Sequence, residues 1–312
     1  MSAAAPAAPP ATAPATPLSS AVVFHAGALG DSVMIWPLLR AMQRAIQPGY
    51  CSVTLVAAME KATLAAREVG VEAVDSERPE CTGLWASRPA PALLAGSTLV
   101  ISFVADSSTD AGQRWMAAVR ASCQNAELFI AGPPGSESRA ALWRRFDADS
   151  GGAVEPRAAP SGPVLLHVGA GSPLKRWPLD RFLALNRELR DHAHLCGLLA
   201  GEVEAERFSP AELARFRDHG GVVCESLAEL AGQLRTARLV VCGDSGPGHL
   251  AAQLGVPTLS LFGPTDPQVW APIGPRVSVL APPLPTGNMQ WLETAPVIAR
   301  ALSMLDSTGP VT

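Results

Sequence analysis

The sequence predicts an α/β fold of two open, doubly wound parallel-sheet domains facing a central cleft. Three observations carry this. Short apolar, β-rich runs alternate with longer segments of helical period along the 312-residue chain. A stretch without periodicity, Asp147 to Pro163 (DADSGGAVEPRAAPSGP), separates two such series. Glycine-rich turns follow the leading strand of each series, and open α/β sheets bind ligands at the carboxyl ends of their strands.

In the first half, strands are expected at Val22–His25, Ser52–Val56, Leu99–Phe103 and Glu127–Ile130, with helices at about 32–46, 61–69, 112–122 and 137–146. In the second half the strands are Val164–Val168, Leu195–Leu199, Val222–Cys224, Leu239–Cys242, Thr258–Phe262 and Val277–Leu280. Helices are expected there at about 179–191, 211–218, 226–237 and 246–254, and a helix-like segment runs from Met289 to Leu305. The resulting division is a tail at 1–20, an N-terminal domain at 21–150, a linker at 151–163, a C-terminal domain at 164–284 and a terminal segment at 285–312.

The tail contains little but Ala, Pro, Ser and Thr and has no Lys or Arg, so it is expected to be disordered and makes no secretory signal. Hydrophobic residues make up 48% of the chain, yet no apolar run approaches the roughly 20 residues of a membrane-spanning helix. A net charge of -4 excludes a general nucleic-acid binder but leaves room for a local anion site. Six cysteines are scattered without a CxxC pair, which predicts a reduced, cytoplasmic protein with no metal site.

The first chemical motif is FHAGALGDSVMIWPLLRAM, residues 24–42. A strand enters Gly27-Ala28-Leu29-Gly30, and Asp31 opens an amphipathic helix at its N-cap, facing the cleft. Capping alone accounts for an Asp there, and the spacing is not GxGxxG. The second motif is LLHVGAGSPLKRWPLDRF, residues 165–182. Its turn through Gly171 and Ser172, followed by Lys175-Arg176, suits a diphosphate, although a Lys-Arg pair before a helix is also an ordinary solvated pair.

The third motif, LVVCGDSGPGHLAAQLGVPTLSLFGPTDP at 239–267, is the most informative. A buried strand delivers Asp244, Ser245, Gly246 and His249 onto the start of a helix of small residues, where unpaired N–H groups and the helix dipole favour an anion. His249 taken singly reads as a core histidine. A second turn, Gly263-Pro264-Thr265-Asp266, follows the next strand at the same sheet edge.

At these residues the sequence resembles glycosyltransferase family nine, the heptosyltransferases of lipopolysaccharide core assembly. Gly30-Asp31 and Pro37-Leu38-Leu39 match the family's opening. His167, Gly169, Ala170, Lys175, Trp177 and Pro178 match its second segment, and Asp244-Ser245-Gly246 with His249-Leu250-Ala251-Ala252 matches its third. Gly263-Pro264-Thr265-Asp266-Pro267 is present complete, and the likeness fades between about 45 and 155.

The resemblance implies a GT-B fold of two Rossmann-like domains, the N-terminal one on the acceptor side, and an inverting, metal-independent transfer of heptose from an ADP-heptose-like donor. It makes Asp31 the general base. Gly30, Gly171, Ser172, Lys175, Asp244, Ser245, Gly246 and His249 become donor-site residues, with no metal and no cofactor. A ribose-binding acid follows the strand at 195–199, and Glu204 is chosen over Glu202 by spacing. The last segment, 285–312, is expected to pack back on the N-terminal domain, and base and phosphate site come from different halves that close on the donor. Implied partners are a nucleotide-sugar donor and a glycan or glycolipid acceptor, with at most peripheral contact with the inner membrane face. A different nucleotide sugar, or a catalytically degenerate nucleotide- or glycan-binding protein, are the alternatives.

Overall fold

The computed structural model of the protein describes residues 19–45, 52–151, 154–157 and 161–307. The order of elements to residue 151 is β1 (Ala21–Phe24), α1 (Leu29–Val33), α2 (Trp36–Ala45), β2 (Val53–Ala57), α3 (Met59–Val69), β3 (Glu72–Asp75), α4 (Pro79–Trp85), β4 (Leu99–Ser102), α5 (Asp110–Ser122), β5 (Glu127–Ile130), α6 (Glu137–Phe146) and α7 (Ala148–Gly151). There follow β6 (Val164–His167), α8 (Leu179–Asp191), β7 (Cys196–Gly201), α9 (Glu202–Glu206), α10 (Pro210–Asp218), β8 (Val222–Cys224) and α11 (Leu227–Thr236). The chain ends with β9 (Leu239–Gly243), α12 (Gly246–Gln253), β10 (Thr258–Leu261), α13 (Pro267–Trp270), β11 (Val277–Leu280) and α14 (Thr294–Asp306).

Two parallel sheets result, ordered β3-β2-β1-β4-β5 and β11-β10-β9-β6-β7-β8. The central strands are continuous apolar runs, as a sheet covered on both faces requires: AVVF in β1 and LVVCG in β9 are buried throughout. Most expected strands fall within a residue or two of their places. The expected helix 32–46 is instead two helices, because Pro37, with no N–H and a restricted predecessor, starts a new helix at Trp36. The sequence reading missed β3 altogether: Glu-Ala-Val-Asp holds one strong β-former, and as an edge strand it tolerates charged ends. It also missed the short helices α4 and α9.

The chain divides into two compact units. The first takes the described residues of 1–26, 37–62 and 69–152, and the second those of 27–36, 63–68 and 153–312. The first unit's core gathers Val22, Phe24, Val56, Leu84, Val100 and Trp115, with the Phe24 and Trp115 rings edge to face at 5.1 Å. The second gathers Leu166, Trp177, Phe182, Val241, Leu259 and Leu305.

The tail at 1–20 lies outside the described residues except for Ser19 and Ser20, whose amides donate to Thr98 Oγ1. Of the expected linker, residues 152, 153 and 158–160 lie outside the described residues, and the Arg157 amide donates to Gly255 O at 2.8 Å. Helix α14 packs on α8 and β9, burying Val297, Ala301 and Leu305 in the second unit's own core. The buried apolar face of this helix belongs to that core.

Candidate active site

Strands β6 and β9 are neighbours in register, His167 opposite Cys242, so the loops that leave them lie side by side. After β6 the chain turns through Gly169–Ser172 into one 3-10 turn, Pro173–Lys175, where Ser172 Oγ accepts from the Leu174 amide at 3.3 Å. The Lys175 backbone passes so close to Gly243 that a β-carbon there would stand 3.1 Å from Lys175 O. This brings the Lys175 ammonium onto the next residue: Nζ donates to Asp244 Oδ2 at 2.8 Å. The hydroxyl of Thr265, from the turn after β10, donates to the same oxygen at 2.7 Å. Asp244 is only 6% exposed, and its other oxygen lies 4.0 Å from His249 Nε2. The Trp270 ring lies 5.9 Å from Nζ, at the outer limit of a cation–π contact.

The start of α12 differs from expectation. Ser245 is the N-cap, but its hydroxyl donates to Gly243 O at 3.2 Å and caps no amide. Pro247 has no N–H, and the Gly248 amide is engaged by Ser245 O at 3.1 Å. Of the first three helical residues only Gly246 offers an amide to a ligand. The expected array of backbone donors is therefore small, and the fixed positive charge of this site belongs to Lys175.

Helix α1 lies against α12 within the second unit. A β-carbon on Gly246 would come within 2.7 Å of Leu29 Cβ, so this approach requires glycine there, and one on Gly30 would crowd His249 Cδ2 at 3.2 Å. Gly27 has φ of 141°, a conformation that favours glycine, and lets the chain turn in front of Asp31. Ala28, not Asp31, is the N-cap of α1. Asp31 is the third residue of that helix, half-buried, and its Oδ2 accepts from the Ala28 amide at 3.2 Å. The segment bearing Asp31 thus groups with the Lys175 and Asp244 loops in the second unit, although it lies in the first half of the sequence.

Glu202 is exposed, whereas Glu204 turns inward onto two glycines. A β-carbon at Gly169 would lie 2.2 Å from Glu204 Cγ, and one at Gly201 2.4 Å from Glu204 Oε2. Glu204, Arg176, Arg207, Ala170 and Pro173 line a small cavity of about 50 Å³. Arg207 Nη1 donates to Gly171 O at 2.8 Å. Beneath them His167 is wholly buried, and desolvation holds its imidazole below the usual range against the opposing pull of Glu204.

Arg176 leaves the site, taken up by Glu212 at 2.6 Å and by the Phe208 ring. The neighbouring Trp177 is structural: its indole donates to Leu292 O at 2.8 Å, and Arg181 donates to Gln290 O and Leu292 O. The structure therefore brings together Gly30, Lys175, Asp244, Ser245, Gly246 and His249, with Gly171, Ser172 and Glu204 on the adjoining loops. The sequence reading did not single out Thr265 or Trp270. The Gly-Pro-Thr-Asp-Pro turn carried the signal for Thr265. Among the described residues no three His, Cys, Asp or Glu gather as a metal-binding group, and no helix is long and apolar enough to cross a membrane.

The sequence model of glycosyltransferase family 9 (heptosyltransferase) matches residues 96–290. Lipopolysaccharide heptosyltransferase 1 of Pseudomonas aeruginosa is 39% identical over 112 residues, 35% of this chain and 31% of that protein. Lipopolysaccharide heptosyltransferase 3 of Escherichia coli is 30% identical over 118 residues, 33% of its length, so these matches span about a third of the curated relatives. Among solved structures, a family 9 glycosyl transferase from Veillonella parvula superposes with a TM-score of 0.67 at 17% identity, covering 93% of this chain and 97% of that one. The E. coli heptosyltransferase WaaC with ADP gives 0.65 at 18% identity, covering 91% and 99%. These two likenesses establish the GT-B fold, and the match of the family's sequence model over 96–290 shows that the chain belongs to glycosyltransferase family 9.

Proposed function

We propose that the protein is an inverting, metal-independent glycosyltransferase that moves heptose from an ADP-heptose-like donor to a lipopolysaccharide-core or related glycan acceptor. The observation that carries this reading is the Lys175 ammonium, held by a nearly buried Asp244 beside the start of α12, with the Gly30-Asp31 turn against the same helix. In a glycosyl transfer the bond from the anomeric carbon to phosphate breaks, and negative charge grows on the leaving diphosphate. Lys175 meets that charge as a point cation, which supports transfer without a metal. The Gly246 amide and the Ser172 hydroxyl are the further donors at the phosphates, while Ser245, whose hydroxyl donates to Gly243 O, shapes the turn that leads into α12. Asp244 acts by holding Lys175, since a carboxylate facing phosphate directly would repel it. Glu204, turned in beside Gly169, takes the ribose hydroxyls. His249 spaces α1 from Asp244.

Asp31 is the base. One of its oxygens is fixed by the Ala28 amide, and the other takes the proton from the acceptor hydroxyl as that oxygen attacks the anomeric carbon from the face opposite the diphosphate. The reaction belongs to the cytoplasm, with a glycolipid acceptor met at most peripherally at the inner membrane face.

Isothermal titration with ADP, UDP and GDP, joined to a transfer assay, tests the assignment. ADP is expected to bind best. Lys175→Ala is expected to weaken ADP binding by about tenfold or more. Asp31→Asn is expected to leave ADP affinity unchanged while lowering turnover by about 10²–10⁴-fold. A clear preference for UDP would reject the ADP-heptose donor, and equal loss of ADP binding in both variants would reject the division of roles.

A further inference from the structure

Asp244 Oδ2 accepts two donors at once, Lys175 Nζ at 2.8 Å and Thr265 Oγ1 at 2.7 Å. The carboxylate is 6% exposed, and its other oxygen is 4.0 Å from His249 Nε2, beyond hydrogen-bonding distance. Lys175 keeps 29% of its side chain exposed, so the ammonium is the member of the trio that reaches solvent. The three residues come from three different loops, after β6, β9 and β10, which are consecutive in the sheet. One oxygen atom therefore ties together the carboxyl ends of three adjacent strands.

We infer that Thr265 is a positioning residue for donor binding, acting through Asp244 on Lys175. The inference rests on the reading of Lys175 as the phosphate cation. An oxygen that already accepts from a hydroxyl is a weaker partner for an ammonium, because the hydroxyl withdraws part of its charge. The same bond stops the carboxylate from rotating and so fixes the place from which the ammonium is presented. Thr265 thus moderates a competition: the internal carboxylate must hold Lys175 firmly enough to aim it, and loosely enough to surrender it to a diphosphate. Without the hydroxyl, Oδ2 grips the ammonium more tightly and has fewer constraints on its own orientation. Both changes disfavour the donor. No bond to the ligand is made by Thr265 in this scheme, so a hydroxyl on a smaller side chain is sufficient.

The experiment is a double-mutant cycle read by calorimetric titration of ADP into the full-length chain. Thr265→Val is expected to raise the ADP dissociation constant about fivefold, the weight of one hydrogen bond. Thr265→Ser is expected to restore the wild-type value. In a Lys175→Ala background, Thr265→Val is expected to change nothing further, because the group through which it acts is gone. A general packing defect predicts the opposite, equal losses with and without Lys175. Unchanged affinity in Thr265→Val, or an equal loss in both backgrounds, overturns the inference while the wild type's own binding of ADP leaves the functional reading intact. If the wild type binds no nucleoside diphosphate, both fall together. Should Thr265→Val not fold, Thr265→Ala takes its place in the cycle with the same expectations.

Discussion

His167 shows how much a single side chain can contribute unseen. It terminates β6, is wholly buried, and its imidazole is held neutral by desolvation. Its pKa in the folded protein lies below the roughly 6.5 of an exposed imidazole, so the unfolded chain takes up the proton first as pH falls. Its contribution is intact above about pH 7 and is lost progressively below about 6.5, at no more than about 1.4 kcal/mol per pH unit. His194 is shifted in the same direction by partial burial and by Arg238 and His192, and adds a second component. His167→Asn is therefore expected to shrink, without abolishing, the fall in urea midpoint between pH 7.5 and 5.5. An identical fall in both proteins would show that this imidazole is not the titrating group. At this scale the sequence was partly legible. Lys175, Asp244 and Gly246 were singled out from residue type and spacing, because a phosphate site would demand a cation and flexible backbone, and the structure sets Lys175 against Asp244. Thr265 was read only as part of its Gly-Pro-Thr-Asp-Pro turn, because a hydroxyl that serves another side chain shows its partner only once the strands are placed.

At the scale of elements, α12 is the informative case. Its small residues are a steric requirement: a β-carbon on Gly248 would meet Cys242 Sγ at 2.6 Å. Gly248→Ala is expected to destabilise the protein by about 1–3 kcal/mol through overpacking, read from the midpoint of urea unfolding. Gly171, where a β-carbon meets nothing within 4 Å, is the matched control, and Gly171→Ala is expected to stay within about 0.5 kcal/mol. The same burial raises the Cys242 thiol to about 12 and leaves it a hydrophobe, as the apolar run around it predicted. Central strands and amphipathic helices were legible, since both faces of each sheet are covered and the apolar runs say so. What escaped were pieces whose identity depends on a partner. Edge strand β3 exists because β2 offers it a ladder. Helix α9 exists because Gly201 caps a short acidic turn, and Glu204 within it packs onto Gly169.

For the whole molecule, the division into two parallel-sheet units was readable from the linker composition, whereas their membership was not. Residues 27–36 and 63–68 group with the second unit although they precede the linker, because contact in space decides membership and order in the chain does not. The terminal helix likewise belongs where its buried face lies. Leu305→Ala is expected to cost about 2–5 kcal/mol, measured by chemical denaturation, because Leu305 is 1% exposed in the second unit's core. The bond from the Trp177 indole to Leu292 joins residues 115 apart in sequence, two places after Lys175 and two before α14. The loop that presents the ammonium thus has its root clamped by the far end of the polypeptide, and Arg181 doubles the clamp. A lesion at Gln290 or Leu292, more than a hundred residues further along the chain, would therefore slacken the anchorage of the segment that carries Lys175.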